Sequence, residues 1–189
     1  MSEEANKARS LSNSVYDIID GLGYDSSDPH LKGSPERVAK FFQEWHTINR
    51  KPPTMTTFPN KPVTREPVVV GDLKFYSMCA HHGLPFHGEA TVVYIPNERV
   101  IGLSKIARAI DHFSHRYQVQ ERLTVEIADF LQATLEPLGL GVIMRGEHLC
   151  MSMRGIRKPG HLTTTSTAHG SMSVDDSRER AEFILLRNK

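Results

Sequence analysis

Two short stretches of this sequence carry residue types that can hold a metal ion. The first contains Cys79 and His82, spaced C-x-x-H, so one turn of chain can present a thiolate and an imidazole to the same ion. A third ligand is available far along the chain from Cys150, the other of the two cysteines. Two sulfurs and one imidazole nitrogen suit zinc, and three protein ligands leave a position for water, as in catalytic zinc sites. The sequence therefore predicts a catalytic zinc site.

The surroundings of Cys150 suggest how that site is built. If residues 148–154 form a β-strand, alternate side chains point to opposite faces. His148, Cys150, Ser152 and Arg154 then share one face. On this interpretation a metal ligand, a titratable histidine and a cation all face one cleft.

Two other interpretations of the cysteines stay open at this point. They could be ordinary buried thiols, or they could form a disulfide in a secreted protein. A lone C-x-x-H spacing is a weak signal, but the adjacent pair His81 and His82 and the alternation around Cys150 favour a metal. No secretory signal peptide is recognisable, so we expect a reducing, cytoplasmic setting in which a disulfide is disfavoured.

Length and charge exclude several classes of function. The chain has 189 residues, with 23 Lys+Arg against 22 Asp+Glu and a net charge of +1. That balance gives no basic excess for nucleic-acid binding. No apolar run approaches the roughly 20 residues that a membrane-spanning helix needs. We therefore expect neither nucleic acid nor a membrane as a partner.

Apolar spacing divides the chain into three parts. Residues 1–50 contain two stretches of helical periodicity and are predicted to form an N-terminal helical arm. Residues 51–67 contain five prolines, which leave no room for a helix and predict an extended connector. Residues 68–189 are predicted to form the catalytic domain.

The catalytic domain is predicted to be α+β with an antiparallel sheet. The Gly71-Asp72 pair is compatible with either a tight hairpin or a β-bulge. Residues 158–173, rich in Gly, Ser and Thr, are predicted to be a loop that closes over a ligand. Two helices, one capped by Ser104 and the other beginning near Glu121, separate two pairs of strands. The four strands are predicted over residues 68–76, 89–95, 140–147 and 148–156.

Several blocks of this sequence together resemble GTP cyclohydrolase I. Their order and spacing fit that family across roughly residues 34–188. The family usually reads Cys-Glu-His-His where this chain has Ala80 after its cysteine, so a carboxylate beside the metal site is missing. The matching blocks are Phe75-Tyr-Ser-Met-Cys-Ala-His-His82, Ile101-Gly-Leu-Ser-Lys-Ile-Ala-Arg108, Gln118-Val-Gln-Glu-Arg-Leu-Thr124, Glu147-His-Leu-Cys150 and Met153-Arg-Gly155.

The resemblance implies a fold and an assembly. The family has the tunnelling fold, an antiparallel four-stranded sheet with two helices on one face. Its sheets are joined into a barrel by oligomerisation, and two five-subunit rings form a homodecamer. Some residues of each pocket come from neighbouring subunits, so the resemblance implies that assembly is a condition of activity.

The resemblance also implies a reaction and a set of residue roles. The expected reaction is zinc-dependent hydrolysis of GTP at guanine C8, with release of formate and rearrangement to 7,8-dihydroneopterin triphosphate. A zinc-bound water has its pKa lowered to about 7 and can act as the nucleophile at C8. The implied roles are proton transfer by His81 and His148, guanine recognition by Glu121 with Gln120 and Ser104 as weaker candidates, and triphosphate binding by Lys105, Arg108 and Arg154.

Two alternatives remain beside that function. Because Ala80 replaces a carboxylate, an enzyme of the same fold could stop at a ring-opened or deformylated intermediate. A purine-nucleotide-binding oligomer with a structural zinc is a second alternative, although the presence of His81 and His148 argues against it.

Overall fold

Two helices make up the first of two units, Met1–Arg50 and Lys51–Lys189, into which the chain divides. The structure, a computed structural model, describes residues 3–48 and 50–188. Helix α1 (Glu3–Gly21) and helix α2 (Ser34–Thr47) pack against each other, and the Ser12 and Tyr16 hydroxyls donate hydrogen bonds to the Glu36 carboxylate. Helix α2 begins directly after Gly33, whose φ of 72° gives the chain a left-handed turn before the helix.

The second unit is built on a five-stranded sheet of order β5-β2-β3-β6-β7, with a separate small ladder between β1 and β4. All neighbours in the larger sheet are antiparallel except β5, which pairs in parallel with the end of β2. The elements are β1 (Thr57–Pro59), β2 (Val68–Cys79), β3 (Pro85–Ile95), β4 (Arg99–Ile101), α3 (Leu103–Ser114), β5 (Tyr117–Gln118), α4 (Gln120–Leu135), β6 (Gly139–His148), α5 (Leu149–Ser152), β7 (Leu162–Gly170), a 3-10 turn (Ser171–Ser173) and α6 (Arg178–Arg187).

Helices α3 and α4 cover one face of this sheet and form the main core with it. Alternate residues of β3 and β6 point to this face, because side chains of a strand alternate between its two sides. The buried members of this core include Phe75, Phe86, Ala90, Val92, Tyr94, Val142 and Met144 of the sheet with Ile106, Ile110, Leu123, Ile127 and Leu131 of the helices. The predicted α+β class and antiparallel sheet are therefore confirmed.

Helix α6 covers part of the opposite face. Phe183 of this helix and Met172 of the 3-10 turn pack against Val93, Ile95 and Ile143 in a second, smaller core. None of the helices in the described ranges is both long and apolar enough to cross a membrane.

The Gly71-Asp72 pair forms a β-bulge rather than a hairpin. Strand β2 is continuous through it, with a register shift against β3 between Val70 and Leu73. Asp72 adopts a φ of 58°, which absorbs the extra residue. Because of the bulge, Val70 and Leu73 both pack against the main core although they lie three positions apart.

The last predicted strand was assigned to the wrong residues. The chain leaves the sheet after His148 and makes the helical turn α5, so residues 148–156 are not a strand. His148, Cys150, Ser152 and Arg154 therefore do not share the face of a strand. The outer strand is β7, which lies inside the stretch 158–173 that was predicted to be a loop. Strand β7 is rich in threonine but pairs with β6 over its whole length.

Candidate metal centre and active site

Cys79, His82 and Cys150 come together at one end of the sheet. Their three ligand atoms all lie within 4.8 Å of one another. The Cys79 Sγ and the His82 Nδ1 are 3.6 Å apart. A tetrahedral zinc with Zn–S of about 2.3 Å and Zn–N of about 2.0–2.1 Å places a sulfur and a nitrogen about 3.6 Å apart. The donor set and its spacing therefore fit a zinc ion.

A tight turn between β2 and β3 positions the first two ligands. The Cys79 N–H donates to the Leu84 carbonyl at 2.8 Å, and the Gly83 N–H donates to the Cys79 carbonyl at 2.9 Å. Gly83 has a φ of 64°, which favours glycine at that point of the turn. The Ala80 N–H donates to the Gln118 carbonyl, so the short strand β5 ties down the turn from outside.

The pairing of β3 with β6 delivers the third ligand. Phe86, just after the turn, lies opposite His148, the last residue of β6. Helix α5 begins at the next residue and brings Cys150 back over the end of the sheet. Both cysteines are free thiols, Cys79 buried and Cys150 half-buried. Burial and the neighbouring Cys79 raise the pKa of Cys150, effects that a bound cation would oppose by favouring the thiolate.

His148 is held between a phenyl ring and a buried amide. Its ring is stacked on Phe86, with centroids 4.6 Å apart and an interplanar angle of 3°. Its Nε2 lies 3.0 Å from the Gln120 Oε1. Burial lowers the pKa of His148, while the nearby Glu121 carboxylate raises it. Because burial is the larger effect, the neutral imidazole is favoured.

The structure places four further predicted site residues around this centre. His81 is exposed beside His82, with ring centroids 6.2 Å apart. Gln120 and Glu121 begin α4, where Gln120 is buried and Glu121 is exposed. Arg154 follows α5, is exposed, and is close enough for its charge to lower the pKa of Cys150.

Ser104, Lys105 and Arg108 lie elsewhere. They belong to the first turns of α3, which starts beside Ile101, and the Ile101 N–H contacts the Tyr94 hydroxyl. Tyr94 is eight residues along β3 from Phe86, or roughly 27 Å at about 3.4 Å per residue. A single chain therefore keeps the start of α3 at the far end of the sheet from its own metal centre. Ser104 also does not cap the helix, because Leu103 is its first residue and Gly102 precedes it.

Glu147 supports the site in a way that the sequence did not reveal. Its Oε1 accepts hydrogen bonds from the Ser152 hydroxyl at 2.6 Å and from the Gly160 N–H at 3.2 Å. These bonds lower the pKa of Glu147. The Glu147 carboxylate thereby holds Ser152 and Gly160, which lie at the two ends of the segment that follows Cys150. Its position directly before His148 was visible in the sequence, but its partners are set by the turn α5.

A Cys₂His group at one end of the sheet, with histidines beside it, is the arrangement expected of a metal-dependent enzyme. The family model of GTP cyclohydrolase I matches residues 11–187, and the chain belongs to this family. GTP cyclohydrolase 1 of Aquifex aeolicus is 47% identical over 169 residues, which is 89% of this chain and 90% of the relative. GTP cyclohydrolase 1 of Streptococcus agalactiae serotype V is 42% identical over 181 residues, or 95% of this chain and 96% of the relative. The predicted family is thus confirmed.

Among solved structures, a weaker similarity is found with the archaeosine synthase QueF-Like in its apo form. It covers 55% of this chain and 93% of the other, at a TM-score of 0.45 and 19% identity.

Proposed function

We propose that this protein hydrolyses GTP at C8 of guanine, releases formate and forms 7,8-dihydroneopterin triphosphate. The observation that carries this proposal is the convergence of Cys79, His82 and Cys150 within 4.8 Å, in a chain that belongs to the GTP cyclohydrolase I family. Zinc is the metal that a set of two thiolates and one imidazole suits best. Bound there, zinc supplies a water with a pKa lowered to about 7.

We assign the proton transfers to two histidines. His81 is exposed beside the ligand His82, so it can reach a substrate and donate a proton to the purine ring. His148 is half-buried against Phe86 and, once it has taken up a proton, can donate it to the ribose ring oxygen. Histidine suits such transfers near neutral pH. Glu121, exposed at the start of α4, would accept hydrogen bonds from the N–H edge of guanine.

We further propose that the complete pocket is shared between copies of the chain. Lys105 and Arg108 would bind the triphosphate together with Arg154, and Ser104 is a weaker candidate for the guanine pocket. Yet the start of α3, which carries Ser104, Lys105 and Arg108, is remote from the metal centre of its own chain. A neighbouring copy can supply these residues. Strand β7 pairs only with β6 among the described residues, so its outer edge is open for another strand. This supports a homo-oligomeric barrel, and we propose the decamer of two pentameric rings.

The remaining assignments follow from the same proposal. Residues 68–189 are the catalytic domain, residues 51–67 the connector, and residues 1–50 a helical arm. Two free thiols that serve as metal ligands suit a reducing compartment, so we place the enzyme in the cytoplasm.

Incubation of the zinc-loaded protein with GTP tests the proposal. Formate and a fluorescent pterin should appear in equal amounts after oxidation of the product. Formate without pterin would instead support an enzyme that stops at a deformylated intermediate, the alternative motivated by Ala80. A product that retains the formyl carbon would identify the ring-opened form by its mass. Binding of GTP without any product would leave a nucleotide-binding zinc oligomer.

A further inference from the structure

The side-chain amide of Gln120 is buried and hydrogen-bonded to other parts of the protein. Gln120 is only 1% exposed. Its Nε2 lies 3.1 Å from the Met144 carbonyl, 2.8 Å from the Thr163 carbonyl and 3.2 Å from the Thr165 hydroxyl. Its Oε1 lies 3.0 Å from the His148 Nε2. Both N–H donors of this amide are engaged within the protein, and its buried oxygen faces His148, so the amide is not presented to a ligand.

These neighbours fix which end of the amide is which. The two carbonyl oxygens of Met144 and Thr163 can only accept hydrogen bonds, so the group facing them must be the NH₂. The reverse orientation would bring the amide oxygen to 2.8 Å from the Thr163 oxygen and leave buried groups unsatisfied. The Gln120 Oε1 therefore faces His148 and can only accept.

An acceptor at this place decides which ring nitrogen of His148 must carry a hydrogen. The His148 Nε2 must carry it to donate to the Gln120 Oε1, so Nδ1 is the ring nitrogen left to gain or lose a proton. We infer that Gln120 is a positioning residue that fixes this tautomer and leaves Nδ1 as the atom through which His148 exchanges protons. The catalytic part of the inference rests on the proposed function; the tautomer does not.

Gly146 provides a second, independent observation. A Cβ at this position would lie 2.6 Å from the Gln120 Oε1 and 3.3 Å from the Phe75 Cζ. The absence of a side chain at Gly146 is what lets the amide oxygen sit beside β6 and reach His148. Phe86, stacked on the imidazole from the neighbouring strand, sets the plane of the ring. The Gln120 amide, the space left by the missing side chain of Gly146 and the Phe86 ring together hold His148 in one orientation.

The tautomer is read directly by solid-state ¹⁵N NMR of histidine-labelled, zinc-loaded protein. His148 is assigned by difference with a His148→Gln variant. We expect a protonated Nε2 and an unprotonated Nδ1 in the wild type. A wild-type His148 protonated at Nδ1 overturns the inference.

Three variants test the role of the amide. Gln120→Leu removes the acceptor, and Gly146→Ala displaces it without changing Gln120. We expect both to give a mixture of His148 tautomers and a loss of kcat of about tenfold or more, part of the roughly 10²–10⁴-fold that general acid–base catalysis contributes. KM for GTP and zinc content should change less than about twofold. Thr165→Val is the matched control: it removes another partner of the amide and should leave the tautomer and kcat unchanged.

The possible outcomes distinguish a failure of the inference about Gln120 from a failure of the proposed function. If Gln120→Leu does not fold, Gly146→Ala still decides, and a single unchanged tautomer in Gly146→Ala contradicts the inference. A rise in KM with unchanged kcat in Gln120→Leu would show that Gln120 binds substrate, which also contradicts it. Full turnover by His148→Ala would refute the catalytic assignment of His148 while the tautomer in the wild type could still be observed.

Discussion

Cys79, His82 and Cys150 were predictable from the sequence because their chemistry is carried by residue type and a short spacing. Two cysteines and a C-x-x-H turn leave few ways to build a three-ligand site, and the structure brings the three donors together. The role of Gln120 was not predictable in the same way. Its partners lie on β6 and β7, at sequence separations of 24 to 45 residues, and nothing local signals them.

Single substitutions are expected to distinguish the residues that bind the metal from those that transfer protons. Cys150→Ser and His82→Ala each remove a ligand, so zinc should be lost and turnover should fall to background. His148→Ala removes no ligand, so this variant should retain zinc and still lose turnover by about 10²-fold or more. Metal analysis beside formate release makes the comparison. Zinc loss in His148→Ala would show that this histidine supports the metal instead.

Position 80 tests whether the missing carboxylate matters. Ala80 is exposed, and its backbone N–H is already bonded to the Gln118 carbonyl. Ala80→Glu should therefore fold with a stability within about 0.5 kcal/mol of the wild type. If the carboxylate assists turnover, formate release becomes faster with no change in Tm. An unchanged rate and product ratio would show that this enzyme does not depend on a carboxylate at that place.

At the level of elements, the helices and most strands followed the apolar pattern, and the exception has a physical cause. His148, Cys150, Ser152 and Arg154 alternate as strand residues do, but hydrogen bonds of Ser152 to Glu147 and to the His148 carbonyl close a helical turn. In β7 the inward-facing residues are polar. Thr165 reaches Thr124 at 2.6 Å, so the strand satisfies its hydroxyl groups against α4 and shows no apolar alternation.

Glu147 is expected to control the segment after Cys150. Glu147→Ala removes the acceptor shared by Ser152 and Gly160, so zinc should be released more readily, with a fall in affinity of about tenfold. Competition with a chelator measures this. Glu89→Ala is the matched control, because Glu89 pairs with Lys74 on the same face of the sheet and does not touch this segment. Equal zinc affinities in the two variants would contradict the role of Glu147.

The pH dependence of the same contact has a definite sign. The hydrogen bonds from Ser152 and Gly160 lower the pKa of Glu147 in the folded state. Their stabilisation is fully present above the ordinary pKa of a glutamate, about 4.3, and is lost as the pH falls below it. Urea unfolding between pH 6 and pH 3 should therefore show a smaller acid loss of stability in Glu147→Gln than in the wild type.

Helix α6 depends on a glycine in β6. A Cβ at Gly141 would clash with the ring of Phe183. Gly141→Ala should therefore displace the helix and lower the free energy of unfolding by about 1–3 kcal/mol. Thermal unfolding measures this, with Gly71→Ala as the control, since its added Cβ would meet Thr91 at an ordinary 3.5 Å. A Gly141→Ala protein as stable as the control would contradict the packing of Phe183.

At the scale of the whole molecule, the proposed pocket draws on residues that lie far apart within one chain. Lys105 lies in the first turn of α3 at one end of the sheet, and His148 is the last residue of β6 at the other end. The family resemblance implies that both residues belong to the same pocket. The distance between them within a chain could not be read from the sequence, because it depends on the direction in which α3 crosses the sheet.

Subunit mixing tests the shared pocket. Lys105→Ala and His148→Ala proteins should each be inactive alone. When they are unfolded together and reassembled in equal amounts, about a quarter of the sites would combine an intact His148 with an intact Lys105 from the neighbour. Activity should therefore return to about a quarter of the wild type. No recovery in oligomers shown by mass to be mixed would mean that each chain uses its own Lys105.

The large sequence separation between Cys79 and Cys150 also affects when the metal site can form. During synthesis, a nascent polypeptide that has not yet reached β6 offers an incoming ion only a thiolate and an imidazole from one turn. The three ligands converge where β3 and β6 are paired, so binding of an ion there would be coupled to formation of this part of the sheet. A bound ion would link two segments that are far apart in the sequence, and it would restrain them from separating when the protein begins to unfold.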